Sequence, residues 1–146
     1  KEYARKKVRG MQFEVKGKVC GKGRPRFVRR GQFVQTYTPD VTANYENLIK
    51  LSFIQAGGEI INKPKGVSIS IMAGFTPPTS VSKKKQIECL DNKIKCIKKP
   101  DIDNIAKAVM DALNKIAYED DSQVVEINVR KVYHEQEMLV VQIEEA

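Results

Sequence analysis

Two short acidic segments hold the side chains best suited to chemistry. Asp101 and Asp103 form an Asp-x-Asp pair, and Asp120 and Asp121 form an adjacent pair further along the chain. Side chains two positions apart in an extended segment lie on the same face, and carboxylate oxygens are preferred ligands of hard cations such as Mg²⁺. The Asp-x-Asp pair is therefore a candidate group for binding a divalent metal ion.

Each acidic pair also has a structural interpretation. Asp103 could cap the helix predicted over about residues 103–117, with Asp101 just before it, because helix N-termini attract acidic side chains. Asp120 and Asp121 could form a solvated turn after that helix. The helix would be about 20 Å long. Asp121 can therefore approach Asp103 only if the next strand runs back antiparallel beside the helix, or if a second subunit supplies one set of carboxylates.

Lys107 is the candidate cation beside these carboxylates. It lies four residues after Asp103, on the polar face of the predicted helix that also carries Asn114. One interpretation is an ion pair with Asp103, which would contribute roughly a few tenths of a kcal/mol. The other is a positive charge placed near a scissile phosphate or the leaving oxygen.

A basic segment is the candidate surface for nucleic acid. Glycine and proline punctuate residues 21–31 and predict a loop or an irregular hairpin rather than a helix. Its basic residues are Lys22, Arg24, Arg26, Arg29 and Arg30. They could be solvated, with Phe27 and Phe33 turned to the core. They could also contact DNA phosphates, because lysine and arginine supply most sequence-independent affinity for DNA.

The composition favours a polyanionic partner and argues against other classes of protein. The 146 residues include 26 Lys and Arg against 18 Asp and Glu, a formal charge of +8, which favours nucleic acid. No apolar run approaches the roughly 20 residues of a membrane-spanning helix, so no membrane partner is expected. Cys20, Cys89 and Cys96 match no zinc pattern and are expected as free thiols in a reducing cytoplasm. The single histidine, His134, argues against a histidine-dependent triad.

The hydrophobic pattern predicts the elements that must position these groups. Strands are predicted at residues 11–15, 67–71, 125–129 and 139–143. Helices are predicted from Asp40 to the Gly57-Gly58 stop and after Pro100, and the lysine-rich residues 82–90 could add one or two helical turns. The last two strands are predicted to pair antiparallel. The order of elements predicts an α+β fold, a small mixed β-sheet with helices packed on it.

One domain is expected over residues 11–146, a length within the usual range for a single domain. Residues 1–10 form a basic extension without an apolar pattern. We expect this extension to be a non-native remnant, with the natural start at or near Met11. A natural basic arm that contacts DNA is the alternative.

Several sequence anchors in one register resemble the RusA family of Holliday junction resolvases. In the family's order and spacing, the anchors are Pro100-Asp101-x-Asp103-Asn104, Lys107, Asp111-Ala112-Leu113 and Asp120-Asp121-x-Gln123-Val124. Residues 21–26 and 37–39 also resemble the bacterial and phage-type members, and the resemblance covers about residues 11–133. Residues 82–97 are longer than the equivalent linker in the shortest members.

The resemblance implies a homodimer that binds four-way DNA junctions and nicks two strands symmetrically in DNA recombination and repair. It implies Mg²⁺, or Mn²⁺ in its place, and a prophage origin. The family's essential acidic residues correspond to Asp101, Asp103 and Asp121, which are expected to hold the metal, and its essential lysine corresponds to Lys107. The role of Asp120 stays open. Two alternatives remain: a non-catalytic nucleic-acid-binding protein that keeps the carboxylates as caps, and a metal-dependent hydrolase of RNA or another phosphate ester.

Overall fold

The computed structural model describes residues 10–23, 26–37 and 40–146, and within 26–37 it describes only the side chains of residues 29, 31 and 32. The basic extension therefore lies outside the described residues, except for Gly10. Along the chain the elements are β1 (Met11–Lys16), β2 (Arg26–Arg30), β3 (Phe33–Tyr37), α1 (Asp40–Gln55), β4 (Val67–Phe75), α2 (Lys83–Leu90), α3 (Ile102–Leu113), β5 (Val124–Tyr133) and β6 (Met138–Glu145).

A four-stranded mixed sheet with the order β1-β6-β4-β5 is the centre of the fold. β5 pairs parallel with β4, whereas β6 pairs antiparallel with both β4 and β1. β4 is buried at most of its positions, as expected of a central strand. The sheet and the three helices confirm the predicted α+β fold.

The helices cover one face of the sheet. α1 packs on β1, α3 packs on β5, and the two helices contact each other. Tyr45, Ile49 and Phe53 of α1 and Ile105 and Val109 of α3 are buried between helices and sheet, because they recur at helical spacing on one side of each helix. The opposite face of the sheet has no helix of the described residues packed on it.

The terminal strand pairing differs from the prediction. β5 and β6 do not form a hairpin, because β4 lies between them. The short connection from β5 to β6 crosses the end of β4, where the His134 N–H donates to the Phe75 carbonyl oxygen at 2.7 Å. A Cβ at Gly74 would lie 3.0 Å from His134 Cβ, so glycine makes room for this crossing.

The ends of α3 also differ from the prediction. The N-cap residue is Asp101, and Asp103 lies in the first turn. The helix ends at Leu113 rather than near Ala117, because Asn114 is extended (φ −61°, ψ 132°) and Lys115 has a φ of 72°.

Three smaller expectations are confirmed. α2 forms two turns, with the Ser82 hydroxyl oxygen accepting from the Lys85 N–H at 3.3 Å. β2 and β3 form a hairpin, one of the two structures expected for the basic segment. Cys20, Cys89 and Cys96 are free. Among the described residues, the helices are all too short or too polar to cross a bilayer.

Candidate active site

The solvent-facing edge of α3 carries alternating charges. Its apolar stripe faces the core, which leaves Asp103, Lys107 and Asp111 at four-residue intervals on the other side. Side chains four residues apart on a helix are neighbours. Asp103 and Lys107 are exposed and Asp111 is half-buried, so α3 presents an acid–base–acid edge.

The Asp-x-Asp pair lies at the exposed start of α3. Asp101 and Asp103 are both exposed. Although Asp101 is the N-cap residue, its side chain makes no capping hydrogen bond, whereas a capping carboxylate ordinarily accepts one from the first turn. The backbone of this segment thus places two carboxylates at the surface without using either of them as a cap.

A capping box fixes the turn that carries the second acidic pair. Asp120 Oδ2 accepts from the Ser122 N–H at 3.1 Å, and the Gln123 side-chain oxygen accepts from the Asp120 N–H at 3.1 Å. The buried Gln123 amide nitrogen donates to the carbonyl oxygens of Ile61 and Lys65 at 3.0 and 3.1 Å. The hydrogen bonds from Ser122 lower the pKa of Asp120. The Asp120 carboxylate therefore stabilises the turn.

Asp121 has different surroundings from its neighbour. Its Oδ1 is buried and has no hydrogen-bond partner among the described residues. Burial raises the pKa of the Asp121 carboxyl, and the negative charges of Asp111 and Asp120 raise it further, whereas the charge of Lys115 and a hydrogen bond between the carboxylate and the Tyr118 side chain lower it. Asp121 thus lies within electrostatic range of a second carboxylate, Asp111.

The segment that joins α3 to β5 contains a second unpartnered oxygen. Asn114 Oδ1 is buried without a hydrogen-bond partner among the described residues. The Tyr118 backbone pairs with Asn114, and the Tyr118 hydroxyl donates to the Met110 carbonyl oxygen at 2.6 Å. Buried acceptors are ordinarily satisfied, and carboxylate and amide oxygens are what Mg²⁺ prefers. The unpartnered oxygens of Asn114 and Asp121 are therefore of the kind that a hard divalent cation prefers.

Within one chain, the three predicted metal ligands are not brought together. Asp121 lies by Asp111, whereas Asp103 lies two turns earlier on α3, about 12 Å away along the helix axis. The described residues contain no group of three or more acidic, histidine or cysteine side chains close enough to hold a metal ion. Asp101 and Asp103 thus lie at one end of α3, and Asp121 lies near the other.

The predicted DNA-contacting residues lie in two places. Lys22 is in the linker before β2, and its side chain is 15% exposed and paired with carboxylates. Arg26, Arg29 and Arg30 belong to β2, where the Arg29 side chain is exposed and the side chains of the other two lie outside the described residues. Arg24 lies outside the described residues altogether.

Asp111, Asn114 and Gln123 had no assigned role in the sequence interpretation. Two of them carry a signal that sequence reasoning could have used. Asp111 continues the four-residue spacing of Asp103 and Lys107, and Asp120-x-x-Gln123 has the spacing of a capping box. No sequence signal marks the buried oxygen of Asn114, because its burial depends on the fold.

Comparisons with known proteins give two matches. A family model described as "Endodeoxyribonuclease RusA" matches residues 16–144. A protein of Bacillus subtilis (strain 168), named "Uncharacterized protein YqaN", is 34% identical over 136 residues, which is 92% of this chain and 96% of that protein. The family match covers both acidic segments, the linker with Lys22, β4, β5 and nearly all of β6, and it begins at the last residue of β1.

Proposed function

The chain belongs to the RusA family of endodeoxyribonucleases, and from this premise we propose that it resolves four-way (Holliday) junctions by paired, symmetric nicks. The proposed partners are branched DNA and a second copy of the chain. The proposed setting is DNA recombination and repair in the cytoplasm of a bacterium or its prophage.

The observation that carries the proposal is the Asp121 carboxylate. Its Oδ1 is buried without a hydrogen-bond partner among the described residues, and the negative charge of Asp111 acts on the same carboxylate. Mg²⁺, or Mn²⁺ in its place, would supply neutralisation of the phosphate charge and activation of water. We assign Asp101, Asp103 and Asp121 to holding the ion.

We assign charge stabilisation to a lysine and the contacts with DNA phosphates to the basic hairpin. Lys107 is exposed on the same edge of α3 as Asp103 and Asp111, where its ammonium group would stabilise negative charge that develops on the phosphate. Arg24, Arg26, Arg29 and Arg30 are the proposed phosphate contacts, because they lie on or just before β2. Phosphate contacts of this kind orient DNA without reading its sequence.

Cleavage of a synthetic four-way junction tests the proposal. We expect paired nicks with Mg²⁺ and none with EDTA, while a linear duplex of the same sequence stays intact. Asp103→Asn should reduce the single-turnover rate by about 100-fold or more and leave junction affinity unchanged. Asp91→Asn, which changes an exposed aspartate at the end of α2, is the matched control and should cut like the wild type.

The second candidate is a non-catalytic junction-binding protein, and the +8 charge is the observation that favours it. Tight junction binding without cleavage in Mg²⁺ or Mn²⁺ would establish that function instead. Cleavage of RNA or of linear duplex at the same rate as a junction would remove structure selectivity from the proposal.

A further inference from the structure

Lys22 connects the hairpin linker to both helices. The Lys22 N–H donates to the Asn104 carbonyl oxygen at 2.9 Å, and the Gly23 N–H donates to Thr42 Oγ1 at 3.0 Å. Asn104 lies in the first turn of α3 and Thr42 in the first turn of α1. The linker that leads into β2 is therefore bonded to both helices by its backbone.

The linker also packs closely against the segment that carries the Asp-x-Asp pair. A Cβ at Gly21 would lie 2.7 Å from Pro100 Cβ and 2.9 Å from Asn104 Cβ. Real Cβ atoms do not approach each other that closely, so only glycine allows this contact. The linker and the start of α3 are thus in direct contact.

The Lys22 side chain makes two ion pairs. Its Nζ bonds to Glu46 Oε1 of α1 and lies 3.2 Å from Asp111 Oδ2 of α3. Burial alone would lower the pKa of Lys22, but the hydrogen bonds and charges of Glu46 and Asp111 outweigh it, so the pKa is raised. The ammonium group stays charged between two carboxylates.

The main chain and the side chain of Lys22 contact different turns of α3. The backbone bond is to Asn104, and the side-chain contact is to Asp111, about 10 Å further along the helix axis at the usual rise per residue. Lys22 therefore spans the length of α3 that separates Asp103 from the neighbourhood of Asp121.

These contacts point away from a DNA contact for Lys22. A lysine that binds phosphates presents a free ammonium group, whereas this one is 15% exposed and held by two carboxylates. One of those carboxylates, Asp111, acts on Asp121 through its charge. Removing Lys22 would leave Glu46 and Asp111 as like charges without their shared partner, and they would repel each other.

We propose that Lys22 is a positioning residue, which fixes Asp111 beside Asp121 and ties the base of the β2–β3 hairpin to α3. The inference rests on the proposed nuclease function, in which Asp121 holds the metal. A displacement of about 1 Å at an active site costs up to about 100-fold in rate. We therefore expect the loss of Lys22 to slow the chemical step of cleavage.

The experiment compares Lys22→Met, Lys22→Arg and the control Lys18→Met, which changes an exposed lysine of the same linker. Junction affinity is measured in EDTA over a range of salt concentrations, and cleavage is measured as a single-turnover rate in Mg²⁺. We expect Lys22→Met to cut about tenfold more slowly or worse. Its affinity and salt dependence should stay at the wild-type values, Lys22→Arg should recover most of the rate, and Lys18→Met should be unaffected.

The opposite pattern would overturn the inference. A phosphate-binding lysine would weaken junction affinity and reduce the slope of log K against log salt by about 0.9. Wild-type cleavage by Lys22→Met would overturn it equally. If the wild type cuts no DNA with either Mg²⁺ or Mn²⁺, the proposed nuclease function is wrong, and so is the positioning role that rests on it. This result differs from an effect of the Lys22 variants, because it is seen in the wild type.

A second variant keeps the test open if Lys22→Met does not fold. Asp111→Asn preserves size and can still accept a hydrogen bond from Lys22. We expect it to cut more slowly at unchanged junction affinity, and Lys22→Met added to it should slow cleavage little further, because Lys22 acts through Asp111. An Asp111→Asn enzyme that cuts like the wild type would overturn the inference.

Discussion

Asp120 and Asp121 are neighbours in the chain, but the fold uses them differently. Hydrogen bonds from Ser122 occupy the Asp120 carboxylate and lower its pKa. Asp121 keeps a buried oxygen without a partner, and its burial raises the pKa. An unsatisfied buried acceptor costs stability. This cost is consistent with the proposed role of Asp121 in holding a metal ion.

We expect Asp121→Asn to reduce single-turnover junction cleavage by about 100-fold or more without loss of junction affinity. Its free energy of unfolding should be unchanged or higher, because an amide is easier to bury than a charged carboxylate. Asp120→Asn is the matched control. Asparagine caps as well as aspartate does, so stability and cleavage should both be retained. Loss of cleavage in Asp120→Asn alone would reverse the assignment of the two residues.

The buried face of α3 can be predicted from sequence, but its ends cannot. Ile105, Val109 and Ala112 recur at helical spacing and are buried. The same pattern continues to Ile116, yet the helix stops earlier because Lys115 adopts a φ of 72°. Hydrophobic periodicity reports which side is buried and carries no information about where the backbone turns.

Contacts between distant parts of the chain are what the sequence interpretation lacks. A short connection predicts that β5 and β6 pair with each other, whereas the strongly apolar β4 takes the central position between them. The link from Lys22 to Asp111 has the same origin. The sequence marks Lys22 by its charge and Asp111 by its helical spacing. Only the packing of the linker against α3 brings the two residues together.

The β2–β3 hairpin is the element proposed to bind DNA. Among its basic residues, Arg29 is the one whose side chain the structure describes. We expect Arg29→Ala to weaken junction binding and to lower the slope of log K against log salt by about 0.9, the value for one lost phosphate contact. Arg130→Ala is the control, because Arg130 is also exposed but lies on β5. A salt titration measures both. An unchanged slope for Arg29→Ala would remove the residue from the DNA surface.

The two faces of the sheet differ in what they offer to DNA. The net charge is +8. The face opposite the helices carries Glu126 and Glu144 in register with Ser68, and further along it carries Glu14 in register with Arg130. These charges partly cancel, so this face is not a continuous basic surface for a phosphate backbone. The edge of α3 and the linker into the hairpin lie on the other side, so one surface of the molecule joins the candidate chemistry to the candidate DNA contacts.

A dimer could complete the active site, because one chain separates Asp103 from Asp121. If Asp103 of one subunit and the partner subunit's Asp121 share a site, a mixed dimer of Asp103→Asn and Asp121→Asn chains has one doubly altered site and one intact site. We expect co-refolded mixtures to nick one labelled strand of a junction, although each variant alone is inactive. Light scattering on the eluted protein would establish that the mixture is dimeric.

A mixture of Asp101→Asn and Asp103→Asn chains is the control for this experiment. Both changes lie at the same end of α3, so every site in every dimer is altered and no nicking should return. Inactive mixtures of Asp103→Asn and Asp121→Asn, with mixed dimers present, would instead place Asp103 and Asp121 of one chain in one site. The turn at residues 120–123 would then have to move towards the start of α3, against the hydrogen bonds that Gln123 makes to Ile61 and Lys65. Those bonds are why we expect the mixed dimer to cut.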